Sequence, residues 1–323
     1  MLELINLSTY QYDMDRFHFN SLEITNLLRN HNMHGIELLN PILWDEDIIP
    51  AKIIKGVHLK YYPVWLDFWN SNSSELLRQF GSMDEVKNYY GGCTRECIIE
   101  NYRKEIQVAD KMGAQYVVFH VSHVQLEHVY NYKFTYSNEE VIDATAELVN
   151  EVFKDLNTNI KILFENLWYP GLTMINKDAI CRLLERVDYP NKGIMLDTGH
   201  LMNTNLNLKD EKQGIQYILD TISNLGELKA HIKGIHLNCS LSGKYVQDEI
   251  KKYDNCQLIY DEIKESVLFH VMKLDMHKPF THIDVKKIIE LIKPEYVVYE
   301  FITKSLQEFE EYITIQNKAL KNL

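Results

Sequence analysis

The sequence lacks the features that define several large protein classes. Its 323 residues include only five cysteines, an odd number with no CxxC pair, which argues against a disulfide framework and predicts reduced thiols. No apolar run approaches the roughly 20 residues that a membrane helix needs. The apolar stretch at the N-terminus, Met1 to Leu7, is too short and too acidic for a signal peptide. These absences predict a soluble, cytoplasmic protein. The cysteines are Cys93, Cys97, Cys181, Cys239 and Cys256.

Positive charge is also scarce. The chain has 34 Lys and Arg against 46 Asp and Glu, a net charge of −12. A protein this acidic lacks the broad basic face with which proteins bind long nucleic acids or anionic membranes, although a short nucleic-acid contact through bound metal ions stays compatible with it. Hydrophobic residues at 46% and charged residues at 25% lie near globular averages, which excludes extensive disorder. The composition favours a globular protein without a broad nucleic-acid-binding face.

Short, β-branched apolar runs alternate with amphipathic stretches along the whole chain. The runs are apolar on both faces, as buried parallel strands are. The predicted strands are Leu2–Leu7, Gly35–Leu39, Gly56–Leu59, Tyr116–His120, Ile160–Glu165, Gly193–Asp197, Ile232–Leu237 and Tyr296–Phe301. The predicted helices are Ser21–Asn30, Asn101–Met112, Asn138–Leu156, Asp178–Val187, Glu211–Leu225, Ile283–Leu291 and Ser305–Lys318.

Eight strands alternating with helices predict an α/β protein with a single (β/α)8 barrel. An open doubly wound sheet is the main alternative, but it would need a glycine-rich loop after the first strand, and the segment after Leu7 contains no glycine. Two connections are long, residues 60–100 after the third strand and 238–282 after the seventh, and both are expected at the catalytic end of the barrel. No linker divides the chain, so residues 1–323 are predicted to form one domain.

The ends of six consecutive strands carry histidine or carboxylate side chains. Carboxylates packed together at a barrel mouth repel one another unless positive charge lies between them. Imidazole and carboxylate groups that converge are the ligands of Zn²⁺, Mn²⁺, Co²⁺ or Fe²⁺. The pattern therefore predicts a divalent-metal centre with several ligands. The residues are His58, His120, Glu165, Asp197 with His200, His236 and Glu300.

These strand ends, with Asp275-Met276-His277 before the eighth strand, resemble the xylose isomerase-like TIM-barrel superfamily. That superfamily includes sugar and sugar-phosphate isomerases and epimerases, and also the endonuclease IV enzymes of AP endonuclease family 2. The most specific pieces are Leu196-Asp197-Thr198-Gly199-His200 and Gly234-Ile235-His236-Leu237-Asn238. The resemblance covers the chain except for the two long connections.

The resemblance implies different ligand sets for the two branches. The isomerase and epimerase pattern holds one metal on Glu165, Asp197, His236 and Glu300. The endonuclease IV pattern keeps these four and adds ligands for a three-metal cluster. The added positions match His58, His120, His200, Asp275 and His277, with His282 as a substitute should the long connection displace His277. The sequence thus permits one to three divalent ions per chain.

The presence of a suitable residue at all nine ligand positions of the endonuclease IV pattern favours a hydrolase. Three other features favour an isomerase. Glu37 matches a glutamate common on the isomerase side, and the acidic residues 45–47 would repel a phosphate backbone. Aromatic residues in the long connections suit either loop packing or a covered pocket. Val121-Ser122-His123 and Asn238-Cys239-Ser240 depart from the nuclease pattern. The aromatic residues are Tyr61, Tyr62, Trp65, Phe68, Trp69, Trp168 and Tyr169.

The function expected from the sequence is isomerisation or epimerisation of a small sugar, polyol or sugar phosphate through a metal-stabilised enediolate. Glu165 and Glu300 would accept and donate the proton, and His200 is a third catalytic candidate. The alternative is an endonuclease IV-like phosphodiesterase with two or three metals, and a second alternative is a metal-binding barrel without catalysis. Nucleic acid is the less favoured partner, no membrane contact is expected, and barrels of this kind can pair as homodimers.

Overall fold

The computed structural model describes residues 1–255 and 260–321, with side chains for residues 1–253 and 266–321. Within these ranges all four cysteines are free thiols, and Cys256 lies outside the described residues. None of the helices in the described ranges combines the length and the apolar character that a bilayer crossing requires.

Eight parallel strands close into a barrel in chain order, which confirms the predicted TIM-barrel fold. Each strand pairs with the next, and β8 returns to β1 in a register that places Leu2 beside Tyr296 and Ile5 beside Tyr299. The strands are β1 Leu2–Ser8, β2 Gly35–Leu39, β3 Ile54–His58, β4 Tyr116–His120, β5 Lys161–Glu165, β6 Lys192–Asp197, β7 Ile232–Leu237 and β8 Tyr296–Tyr299.

Helices surround the barrel and fill its long connections. The α-helices are α1 Gln11–Arg16, α2 Ser21–Asn30, α3 Leu66–Trp69, α4 Ser73–Phe80, α5 Met83–Tyr90, α6 Arg95–Met112, α7 His128–Asn131, α8 Asn138–Phe153, α9 Lys177–Arg186, α10 Thr198–Asn203, α11 Glu211–Asn224, α12 Gly243–Asn255, α13 Tyr260–Leu274, α14 Lys286–Ile292 and α15 Leu306–Lys321. Short 3₁₀ turns occupy Pro41–Leu43, Ala51–Ile53, Gly226–His231 and Ile283–Val285.

The helix boundaries follow from local chemistry. The N-terminus of α8 carries a capping box, in which the Ser137 side chain accepts from the Glu140 amide and the Glu140 side chain accepts from the Ser137 amide. The C-terminus of α6 ends at Gly113, whose φ of +74° is a conformation that glycine adopts without a steric penalty. Helices α3 to α5 in the connection after β3 were absent from the sequence prediction, because each is only 4 to 8 residues long.

The barrel interior beneath the strand ends is packed with side chains. Leu4, Tyr116, Val118, Leu163 and Met195 belong to one buried cluster that Val298 and Tyr296 complete. A Cβ at Gly56 would lie 2.1 Å from the Tyr116 ring, so glycine at this strand position makes room for the tyrosine. The filled interior leaves the carboxyl ends of the strands as the place where polar side chains can meet.

Candidate metal centre

All nine residues predicted as ligands lie together at the carboxyl end of the barrel. Four of them end strands β3 to β6, His236 is the penultimate residue of β7, Glu300 directly follows β8, His200 lies on α10, and the last two follow α13. None exposes more than 13% of its side chain. The nine are His58, His120, Glu165, Asp197, His200, His236, Asp275, His277 and Glu300.

Glu165 is at the middle of the cluster, and its two carboxylate oxygens face different histidines. Oε2 lies 3.0 Å from Nε2 of His58 and 3.2 Å from Nε2 of His120. Oε1 lies 3.1 Å from Nδ1 of His236 and 3.3 Å from Nδ1 of His200. A carboxylate with both oxygens surrounded in this way has the arrangement of a group that bridges two cations.

In three of the histidines, Nδ1 forms a hydrogen bond with a backbone carbonyl. Nδ1 of His58 donates to the Leu59 carbonyl at 3.0 Å, and Nδ1 of His277 donates to the Glu300 carbonyl at 3.1 Å. Nδ1 of His200 donates to the Asn166 carbonyl at 2.8 Å. A neutral imidazole has one N–H, so each Nε2 then presents a lone pair toward a carboxylate. That contact is repulsive unless the ring gains a proton or a cation lies between the two groups.

His236 also presents a ring nitrogen to carboxylates, but in this residue the nitrogen is Nδ1. Its Nε2 lies 2.9 Å from Oε1 of Glu37, while its Nδ1 lies 3.1 Å from Glu165, 3.2 Å from Glu300 and 4.0 Å from Asp197. One ring nitrogen cannot donate to three carboxylates, but a metal ion can accept one ligand atom from each of the four residues. The donor set of Glu165, Asp197, His236 and Glu300 therefore fits a divalent ion.

A further group of three lies beside the first two. Oδ2 of Asp275 is 3.1 Å from Nε2 of His200 and 2.7 Å from Nε2 of His277. Oδ1 of Asp275 is buried without a hydrogen-bond partner among the described residues, as is Nδ1 of His120. The ligand atoms of each group lie within 4.8 Å of one another. Three groups consist of the predicted ligands: His58, His120 and Glu165; Glu165, Asp197, His236 and Glu300; and His200, Asp275 and His277. A fourth group, which meets the same distance, consists of Glu37, His58 and His236.

The motif around Asp197 shows how the sequence builds this geometry. Asp197 ends β6 and caps α10, since its Oδ1 accepts from the His200 amide at 2.6 Å. Its Oδ2 accepts from Nδ2 of Asn238 at 2.7 Å. A Cβ at Gly199 would come within 1.9 Å of Oδ1 of Asn238, so glycine is required there. The run Asp-Thr-Gly-His thus positions a carboxylate and, three residues later, an imidazole.

The electrostatics of the cluster are those of a site that needs added positive charge. Burial, together with the carboxylates of Glu300 and Glu165, raises the pKa of Asp197 to about 8 against the opposing charge of His200. Burial lowers the pKa of His120 to about 3, so its ring is neutral near pH 7 and keeps a free lone pair. Burial also opposes the ionisation of Glu165, but the surrounding imidazoles of His120, His236 and His200 hold the pKa of that carboxyl well below its usual range. Divalent cations would relieve the repulsion among these carboxylates.

Two residues have positions that differ from the sequence interpretation. His282 does not replace His277, because it lies beyond the cluster, 38% exposed and 3.8 Å from Asp284. Glu37 is fully buried, contacts His236 and accepts a hydrogen bond from the Tyr116 hydroxyl at 2.8 Å. Asn166 and Asn238, which brace Asp197, were given no role from the sequence, although each follows a predicted ligand by one or two residues.

A pocket of about 550 Å³ opens above the cluster. Both long connections contribute to its wall, through Tyr61 and Pro63 on one side and Val267 and Val271 on the other. The predicted aromatic residues divide into two sets. Tyr61, Trp168 and Tyr169 line the pocket, whereas Tyr62, Trp65, Phe68 and Trp69 pack into the main hydrophobic core.

Comparison with known proteins agrees with this architecture. The family model described as "Xylose isomerase-like TIM barrel" matches residues 91–294. The probable endonuclease 4 of Mesomycoplasma hyopneumoniae is 30% identical over 142 residues, which cover 43% of this chain and 45% of that protein. The chain thus spans less than half the length of the curated relatives it matches.

Two solved structures share the fold across the full chain. Endonuclease IV from Thermus thermophilus superposes with a TM-score of 0.54 at 12% identity and covers 100% of both chains. D-allulose 3-epimerase from Methylomonas sp. superposes with a TM-score of 0.51 at 12% identity and covers 99% of this chain and 98% of its own. At these identities the likeness concerns the fold.

Proposed function

Because the chain belongs to the xylose isomerase-like TIM-barrel family, we propose that it is a divalent-metal-dependent enzyme that hydrolyses phosphoesters at a multinuclear centre. The observation that carries the proposal is that the nine predicted ligands form three of the four candidate ligand groups at this end of the barrel, and that two of these three share Glu165. A single-metal isomerase needs only the group of four. The other two groups would then be buried histidines and carboxylates without a purpose, which is costly to maintain.

The residues have separate tasks under this proposal. Bound divalent ions would supply Lewis-acid charge for a phosphoester and its leaving oxygen. Glu165 would contribute to two of the metal sites, because it belongs to two of the ligand groups and its two oxygens face different histidines. His200, Asp275 and His277 would hold a third ion. Glu37 would orient His236, and Asn238 would orient Asp197.

This proposal reverses the preference drawn from the sequence, and Glu37 no longer weighs toward the isomerase. That residue was interpreted as a mark of the isomerase branch, in which a glutamate is common at this position. In the structure it is fully buried behind His236 and is absent from the described residues that line the pocket. Its contacts with His236 and Tyr116 support an orienting role, which suits either chemistry.

The charge distribution favours a small phosphoester over duplex nucleic acid. The chain has a net charge of −12, and Asp45, Glu46 and Asp47 are exposed after β2, at the same end of the barrel as the cluster. These charges would repel a polyphosphate backbone. A single phosphate group that reaches bound cations in the pocket would be attracted to them.

Isomerisation or epimerisation of a small sugar or sugar phosphate is the second candidate. The observation that favours it is the group of Glu165, Asp197, His236 and Glu300, which is complete without the other ligands. In that reaction Glu165 and Glu300 would move the proton between carbon atoms of the substrate. The two candidates differ in whether His200, Asp275 and His277 are needed.

The test compares His277→Ala with His282→Ala in protein purified without chelator. His282 is the matched control, because it is a histidine five residues away that lies outside the cluster. The proposal expects two or three divalent ions per chain, hydrolysis of phosphodiesters, and loss of one ion with at least a thousandfold fall in hydrolysis for His277→Ala alone. One ion per chain, with turnover of a sugar panel that His277→Ala retains, would establish the isomerase instead.

A further inference from the structure

The wall of the pocket above the ligand cluster differs in character from its floor. The floor consists of imidazoles and carboxylates. The wall is formed mostly by apolar and aromatic side chains from the connections after β3, β4, β5 and β7, and Tyr10, Asn40 and Lys60 also line it. The described wall residues include Tyr61, Val124, Leu126, Val129, Leu167, Trp168, Tyr169, Val267, Leu268 and Val271.

The aromatic part of this wall adjoins the ligands themselves. The ring centroid of Tyr61 lies 4.5 Å from that of His120, and the ring of Trp168 lies 5.1 Å from that of His200. Trp168 in turn contacts Tyr169 at 4.9 Å between ring centroids. A group attached to a phosphate on the cluster would therefore meet aromatic faces at once.

Positive charge is almost absent from this wall. Lys60 is the only Lys or Arg among the described residues that line the pocket. Its Nζ lies 4.4 Å from the centroid of the Tyr62 ring, which belongs to the main core and does not line the pocket. The described wall thus offers an organic group apolar contact in place of ionic contact.

The aromatic part of the wall offers the pocket few accessible polar atoms. The hydroxyls of Tyr61 and Tyr169 and Nε1 of Trp168 are buried. A sugar presents a hydroxyl on almost every carbon and would require many partners, since an unpaired buried hydroxyl costs about 1 to 3 kcal/mol. Aromatic side chains whose polar atoms are buried match an aromatic ring with few polar substituents.

We propose that the substrate of this site is a phosphoester of an aromatic group, with the phosphate on the ligand cluster and the ring against Tyr61, Trp168 and Tyr169. The position of the phosphate in this inference rests on the proposed function, whereas the position of the ring does not. The space is adequate, because a cavity of about 150 Å³ holds benzene and this pocket measures about 550 Å³. Leu268 and Val271 of α13 close the wall near the mouth.

Binding of two phosphonates to the metal-loaded protein tests the ring site without turnover. Phenylphosphonate and methylphosphonate carry the same anionic group, and calorimetry measures the affinity of each. We expect phenylphosphonate to bind at least tenfold more tightly, because the ring adds apolar area that the wall removes from water. Equal affinities would overturn the inference.

A pair of neighbouring variants locates the effect. Leu268 lines the pocket, whereas Phe269 is 69% exposed and does not line it. Leu268→Ser is expected to weaken phenylphosphonate binding roughly fivefold and to leave methylphosphonate unchanged. Phe269→Ser, the matched control, is expected to change neither. Equal losses in both variants would contradict the assignment of the wall.

The same protein is then assayed for cleavage of aryl and alkyl phosphodiesters, which separates the two proposals. Cleavage of phosphodiesters with no preference for phenylphosphonate would overturn the aromatic substrate and leave hydrolysis standing. Tight phenylphosphonate binding with no cleavage of any phosphodiester would overturn hydrolysis and leave the ring site standing.

Discussion

Glu37 and His236 form a fully buried pair, with Oε1 of Glu37 2.9 Å from Nε2 of His236. Nε2 donates to Oε2 of the same carboxylate at 3.2 Å, and the lone pair of Nδ1 then faces Glu165, Glu300 and Asp197. Tyr116 donates its hydroxyl proton to Oε2 of Glu37 at 2.8 Å and holds the carboxylate in place. A residue that does not line the pocket therefore determines the donor atom of a candidate ligand.

The first prediction concerns this pair. Glu37→Gln keeps the size of the side chain but removes the charge that fixes the tautomer of His236. We expect the affinity for the metal of the four-residue group to fall about 10- to 100-fold. Metal-competition titration of the purified variant measures the change. An unchanged affinity would mean that the pair has only a packing role.

The second prediction separates the two chemistries at His120, which contacts Glu165 at 3.2 Å. If the centre is a multinuclear hydrolase, His120→Ala should release one metal and reduce phosphodiester hydrolysis at least a thousandfold, because that metal no longer stabilises transition-state charge. Elemental analysis and assays against phosphodiesters, abasic-site DNA and a sugar panel measure both effects. Full metal content with a modest fall in sugar turnover would favour the isomerase.

The third prediction concerns chelation. The cluster contains four buried carboxylates, and a fifth lies beside it. Their mutual repulsion increases when no cation is bound. The five are Glu165, Asp197, Asp275 and Glu300 in the cluster and Glu37 beside it. We expect chelated protein to unfold at a temperature several degrees lower, and Zn²⁺ or Mn²⁺ to restore the midpoint. Scanning calorimetry before and after re-addition is the measurement. Identical midpoints with and without chelator would argue against resident metal.

The fourth prediction concerns Glu105 on α6, which lies outside the cluster. Burial raises the pKa of Glu105 to about 7, although its carboxylate accepts from the Lys60 amide at 2.8 Å. The folded protein therefore binds more protons at this site than the unfolded chain between about pH 4.5 and 7, so this group stabilises the fold at low pH and loses that contribution as the pH rises through 7.

The variant Glu105→Gln isolates this contribution. We compare the free energy of unfolding of the variant with that of the natural chain. The difference, in favour of the variant, should be larger at pH 8 than at pH 4.5 by up to about 3 kcal/mol, because glutamine has no charge to desolvate. Urea unfolding of both proteins at the two pH values gives the difference. A pH-independent difference would show that folding does not shift the pKa of Glu105.

The strands were predictable because their patterns are local. The predicted ranges Gly35–Leu39, Tyr116–His120 and Ile232–Leu237 coincide with β2, β4 and β7. Strands covered on both faces consist of continuous apolar runs, which are visible in a single sequence. The short helices after β3 were not predictable in the same way, because Trp65, Phe68 and Trp69 are placed by burial in the core and not by a helical repeat.

The candidate ligands could be predicted for a topological reason. In a closed barrel of parallel strands every carboxyl end lies at one face, so residues that end successive strands must converge wherever they occur in the chain. The strand-end positions of His58, Glu165 and Asp197 were therefore enough to expect a shared site. The identity of each residue is encoded locally, and the fold class brings them together.

The grouping of those ligands required side-chain directions in the closed barrel. The sequence does not reveal that the two oxygens of Glu165 face opposite histidine pairs, nor that Glu37 lies behind His236. It also could not separate Tyr61, which lines the pocket, from Tyr62, which packs in the core. These two tyrosines are identical and adjacent in the sequence, yet one faces the pocket and the other is buried in the core. The burial of a side chain and the direction in which it points depend on contacts between segments far apart in the chain.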